Sequence, residues 1–68
     1  MNISYNHKTD LLYIRLDERS QEVLNRRVSD DVVLDLGADD RIVGIEIMNA
    51  SHNLHLENLL PVNIEQAG

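Results

Sequence analysis

The sequence predicts a small α+β domain: an antiparallel β-meander of four or five strands with one short C-terminal helix. Three observations carry this. The chain has 68 residues, which sets the domain count at one, spanning 1–68. Its centre, Val32 to Met48, consists of two apolar stretches around Gly37-Ala38-Asp39-Asp40, the pattern of a β-hairpin. Near the end, Leu56, Leu59 and Leu60 recur at helical spacing just before Pro61, a residue whose predecessor is pushed out of the helical region.

The elements follow in order. Ile3 and Tyr5 alternate with Asn2, Ser4 and Asn6, which predicts a first strand at about 2–6. His7 to Asp10 have turn character, and Asp10 can bond the backbone ahead of it. In Leu11 to Asp17, residues Leu12, Ile14 and Leu16 share a core face, while Leu11, Tyr13 and Arg15 lie opposite. Asp17 to Gln21 is a polar connection. Val23, Leu24 and Val28 show no clean alternation, which predicts an irregular edge strand. Arg26 and Arg27 would guard that edge against stray pairing.

In the central hairpin, Val32, Leu34 and Leu36 share one face, as do Val43, Ile45 and Ile47. Gly37 is expected to supply a positive φ in the turn, and Asp39 and Asp40 can tolerate one. Gly44 has no side chain, so a ring, a helix or a second subunit is expected close against it, with Tyr13 the candidate neighbour. Asn49 or Ser51 is a candidate cap for a helix of about two turns near 51–59. Val62 and Ile64 allow an extended tail or a last strand.

Composition narrows the functional classes. Without cysteine, disulfides and thiolate metal sites are excluded. A chain of this size is marginal alone, so self-association, most simply a homodimer, is the remaining route to stability. The formal net charge is −6. Residues 1–27 carry five basic and four acidic side chains, whereas residues 28–68 carry Arg41 alone against eight acidic ones. That balance argues against nucleic acid and suits a basic protein partner. No stretch approaches the ~20 apolar residues that cross a bilayer. The N-terminus lacks the pattern of a signal peptide, so a cytoplasmic location with no membrane partner is expected.

Chemistry-bearing constellations are sparse. His52 and His55, with Glu57 near and His7 elsewhere, are candidate metal ligands on a helix face. Two histidines and a carboxylate do not complete a four-ligand site, so neither metal nor cofactor is expected. The aspartates at 30, 31, 35, 39 and 40 lack calcium-loop spacing. No serine sits in a nucleophile elbow, and the glycines at 37, 44 and 68 are too scattered to cradle phosphate. Tyr13 with Arg15 could stack a base, but the acidic balance opposes it. An enzyme is therefore not expected.

Several of these residues recur in a known pattern. Tyr5, Asp10, Leu12-Tyr13-Ile14, Ser29 to Asp35, Asp40 to Ile47 and Ala50-Ser51 resemble the small bacterial and archaeal family called domain of unknown function 2283. The Val43-Gly44-Ile45-Glu46-Ile47 stretch closing on Ala50-Ser51 is the most specific part. The resemblance covers about residues 3–51 and leaves 52–68, the helix and tail, outside. It implies a short antiparallel meander with a small helical end and no established activity. It also implies a gene encoded beside a second small protein, as in a toxin–antitoxin pair, and it transfers no catalytic residues.

The strongest functional signal in the residues is surplus apolar area. Leu11, Tyr13, Val33, Ile42 and Met48 lie opposite the assigned core, around the bare Gly44. One small helix covers one face, so the other is expected to be an interaction site for a symmetry mate or another protein. The function expected is a non-enzymatic protein–protein interaction module, antitoxin-like, the acidic partner of a small basic protein. The alternative is a ligand- or metal-binding domain using His52, His55 and the Tyr13 face.

Overall fold

The computed structural model describes residues 1–56 and 64–66. Strands β1 (Asn2–Asn6), β2 (Leu11–Arg15), β3 (Leu24–Arg27), β4 (Val32–Leu36) and β5 (Ile42–Ile47) are followed by helix α1 (Ala50–Asn53) and strand β6 (Ile64–Gln66). They form one sheet in the order β3-β4-β5-β2-β1-β6. Strands β1 to β5 pair antiparallel throughout, as expected. β3, β4 and β5 make a meander, and the β1–β2 hairpin joins it through β2 against β5. β6 pairs parallel with β1, so the tail does contribute a last strand. Among the described residues, no helix is long and apolar enough to cross a membrane.

Alternation in the sequence becomes cross-strand rows in the sheet. Tyr5, Leu12, Ile47 and Val32 stand in one row, and Ile3, Ile14, Ile45 and Leu34 in the next. This is the core face read from the sequence. Ile3, Leu12 and Ala50 form its buried centre, with Tyr5, Ile14, Ile47, Leu54 and Leu56 packed around them. Leu16, expected on the same face, is exposed. It lies past the end of β2, where its N–H and that of Asp17 both donate to the Val43 carbonyl, at 2.8 and 3.1 Å.

The β4–β5 ladder slips once. Asp35 pairs with Gly44, but Leu36 pairs with Ile42, which leaves Val43 as the extra residue of a bulge. Val43 and Leu36 are both buried there. In the turn that follows β4, the left-handed conformations fall on Asp39 and Asp40, each with φ 57°. Gly37 has φ −94°, so the expected positive-φ role belongs to the aspartates, whose short polar side chains tolerate it. Gly37 is needed for close approach instead, because a Cβ there would lie 2.5 Å from Gln21 Oε1 and 2.9 Å from Val43 Cγ2.

The helix is shorter than expected. It occupies Ala50–Asn53, and Leu54 is already extended at φ −132°, ψ 147°. That departure carries Leu54 and Leu56 onto the Ile3–Leu12 core. Of the helix expected near 51–59, residues 57–59 lie outside the described residues.

Candidate functional site

Two groups of side chains stand out, one on each side of the sheet, together with one open edge.

The first lies on the face opposite the core. Register places Arg15, Gly44, Asp35 and Asn25 in one row across β2, β5, β4 and β3. Tyr13, Glu46, Val33 and Arg27 form the adjacent row. Tyr13 lies over Gly44: a Cβ on the glycine would meet the Tyr13 hydroxyl at 2.5 Å and Cζ at 3.0 Å. The expected neighbour of Gly44 is therefore the chain's own ring, and no outside group is needed to cover that position. The Tyr13 hydroxyl donates to Asp35 Oδ2 at 2.9 Å and accepts from Arg15 at 3.4 Å.

Asp35 is 7% exposed, a costly position for a carboxylate unless donors surround it. Asn25 supplies the second donor, reaching in from β3 to Asp35 Oδ1. The same amide lies 3.5 Å from Glu46 Oε2, so two carboxylates converge on one donor. Burial pushes the Glu46 carboxyl above its usual range, and its hydrogen bond to Asp35 and the charge there push it further. Burial and the bond to Asp35 likewise raise the Tyr13 phenol. The group ties β2, β3, β4 and β5 together. No set of three or more His, Cys, Asp or Glu side chains among the described residues is placed to hold a metal.

This changes the reading of the expected interaction face. Leu11, Val33 and Met48 are half-buried and Gly44 is buried, while Ile42 alone of the six is well exposed. The centre of that face is polar and internally bonded. The exposed apolar surface lies elsewhere: at Val23, Leu24 and Val28 in and beside β3, and at Leu16 and Ile42 near the β2 and β5 ends.

The second group fastens α1 to the sheet. Asn49 takes φ 51° before the helix, but its side chain makes no cap bond to it. The cap comes from Asp10, whose Oδ1 accepts the Ser51 N–H at 3.0 Å and whose Oδ2 accepts the Ser51 hydroxyl at 2.7 Å. The Tyr5 hydroxyl donates to Asp10 at 2.6 Å, and the Ala50 N–H donates to the Asp10 carbonyl at 2.9 Å. The hydrogen bonds from Tyr5 and Ser51 hold the Asp10 carboxyl below the usual range. Asp31 does the same on the other side of the helix, accepting from Asn49 and Asn53 at 2.9 Å each, and it too is held low by those bonds.

The candidate metal histidines part company here. His52 lies in α1 and His55 beyond its end, so they do not share a helical face. Glu57 lies outside the described residues. His7 packs edge-on against Tyr5, with ring centroids 5.1 Å apart.

The open edge is β3. All four of its residues are exposed, and it stands at the end of the sheet. Arg27 donates to the Asp30 carbonyl at 2.7 Å, closing its own turn. Among the described residues, Arg26 has only Asp40, at 3.9 Å, for an ion pair. The connection into β3 is strapped down by Arg41, which reaches Asp17 and Gln21 at 3.3 Å each. Asp17 is held far below the usual carboxylate range by the Arg19 side chain and backbone.

Comparison with known proteins returns one family. The family model described as protein of unknown function (DUF2283) matches residues 2–51. That span holds the Tyr13–Asp35 group, the Asp10–Ser51 tie and β3, and it stops before Asn53 and Leu54. No curated protein and no solved structure gives a significant match.

Proposed function

This chain belongs to the DUF2283 family of proteins of unknown function, and from that premise we propose that it is a non-enzymatic interaction module, the acidic partner of a small basic protein. The carrying observation is the apolar surface gathered at one edge: Leu24 is 63% exposed and Val28 53%, with Val23 beside them. Scattered exposed apolar residues are ordinary on any protein surface. Three together in and beside an edge strand, in a domain with only five buried apolar residues among those described, mark a place for another polypeptide. Burying Leu24 and Val28 against a partner contributes about 1.5–3 kcal/mol each.

The acidic second half supports a basic partner, because opposite charge steers encounter. The implied gene pairing supports an antitoxin-like role. The exposed Leu16 and Ile42, near the β2 and β5 ends, support self-association into a homodimer. The ligand- or metal-binding alternative gains nothing from His52 and His55, which the end of α1 separates.

Co-expression with the product of the adjacent gene tests this reading. A complex that survives purification, and a neighbour that is harmful when expressed alone, are expected. A harmless neighbour that does not associate would overturn the antitoxin-like role.

A further inference from the structure

We propose that the outer edge of β3 accepts an added strand from a partner protein: an extended segment with a carboxylate side chain opposite Arg26 and apolar side chains opposite Leu24 and Val28. This rests on reading the chain as an interaction module, and it names the chemistry that the partner segment must show.

The phase of the ladder defines which groups are available. The Val28 N–H donates to the Val32 carbonyl at 2.9 Å. The β3–β4 register carries that pair on through Arg27–Val33, Arg26–Leu34, Asn25–Asp35 and Leu24–Leu36. In an antiparallel ladder, hydrogen-bonded pairs alternate with non-bonded ones. Arg26 and Leu24 therefore direct their backbone groups at β4, while Asn25 and Arg27 turn N–H and C=O outward. No strand among the described residues meets that side.

The side chains then select the occupant. Leu24, Arg26 and Val28 share one face of the edge, as apolar, basic, apolar. Arg26 pairs with Asp40 only at 3.9 Å, and both side chains are more than half exposed. Such a pair is worth little, so Arg26 remains open to a closer carboxylate. Beside Leu24 lies a groove of about 500 Å³ lined by Val23, Leu24, Leu36 and Ala38 among others. It can seat an apolar side chain of the added strand, and strand addition draws its specificity from such alternate pockets.

A second copy of this chain fits the edge poorly. With only Asn25 and Arg27 facing outward, two β3 strands pair antiparallel in one of three registers. Asn25 against Arg27 sets Arg26 against its own copy. Arg27 against Arg27 repeats the fault, since like charges directly opposite destabilise. Asn25 against Asn25 sets Arg26 against Leu24 and draws residues 22 and 23, which lie outside the strand, into the ladder.

The test uses the full chain, labelled with ¹⁵N, and two short peptides, TVTETVT and TVTKTVT. Each reads the same in either direction, so strand orientation does not matter. Adding the acidic peptide should shift the Asn25 and Arg27 amides and slow their hydrogen exchange, while the Arg26 amide, already bonded to β4, changes little. The acidic peptide should bind about tenfold more tightly than the lysine one, the size expected when an attractive cross-strand charge pair becomes repulsive. Arg26→Glu should invert that preference with the fold intact by circular dichroism. Equal binding of the two peptides, or no response at Asn25 and Arg27, overturns the proposal. So does protection of those amides that rises with protein concentration alone, which would make the occupant a second copy. Failure with the peptides leaves the complex with the adjacent gene product to be judged separately.

Discussion

Asp10 and Ser51 are 41 residues apart in the chain and joined by two hydrogen bonds, from the Ser51 N–H and the Ser51 hydroxyl to the two oxygens of one carboxylate. A helix of one turn cannot hold itself together, because nucleation costs more than a single turn of bonds returns. Helix α1 persists because a strand-loop residue caps its first turn from outside and Asp31 grips Asn49 and Asn53. Ala50 is buried at the meeting point.

Removing the Ser51 hydroxyl should loosen that tie. Ser51→Ala is expected to destabilise the fold by about 0.5–1.5 kcal/mol, a drop of about 4–8 °C in Tm per kcal/mol for a domain of this size. Asp10→Asn should cost more, since Tyr5 loses its charged acceptor in the same step. Thermal melting followed by circular dichroism reads both.

Tyr13 and Gly44 should behave as a coupled pair. Gly44→Ala places a methyl against the Tyr13 ring and is expected to cost about 1–3 kcal/mol, the usual size for overpacking. The same substitution in a Tyr13→Ala background should cost much less, so a double-mutant cycle on Tm will show strong non-additivity. Additive effects would mean that the ring does not hold the position.

The carboxylates make opposite predictions for pH. Asp10, Asp17 and Asp31 are held low by hydrogen bonds to their ionised forms. Their contribution is full above the ordinary carboxylate range and is lost as pH falls through their folded values. Glu46 is raised, so the folded state binds its proton more tightly than the unfolded chain does. Its contribution therefore grows as pH falls through the raised value and is complete below the ordinary one. Glu46→Gln should raise Tm at about pH 7.5, and the gain should shrink toward about pH 4, where the native side chain is already protonated. A gain that does not change with pH would contradict the raised value.

Much of the sheet was legible in the residues. Period-2 alternation placed four of the five antiparallel strands, β3 reads as an irregular edge strand without it, and the missing Cβ of Gly44 led to Tyr13. The partners of Asp10, Asp31 and Asp35 were not legible. Each acts on residues that only the sheet order brings near, and nothing in local spacing reveals that β2 lies beside β5. The helix length misled for a related reason. Leu56, Leu59 and Leu60 have helical spacing, yet Leu54 leaves the helix because the Ile3–Leu12 core rewards an extended chain there. In sequence Asp35 and Glu46 look like outward-facing charges, whereas in the sheet both meet the Asn25 amide and Asp35 is buried. That polar group closes the Tyr13 face and leaves the apolar surplus at β3.

The most direct measurement is the solution mass of the purified chain by light scattering across a wide concentration range. If the chain's own residues leave the apolar surface away from β3, at Leu16 and Ile42, uncovered, the particle should weigh about twice the 7.8 kDa of one chain or more. A particle that stays at 7.8 kDa at the highest concentration, and does not bind the dyes that report exposed apolar surface, would contradict it.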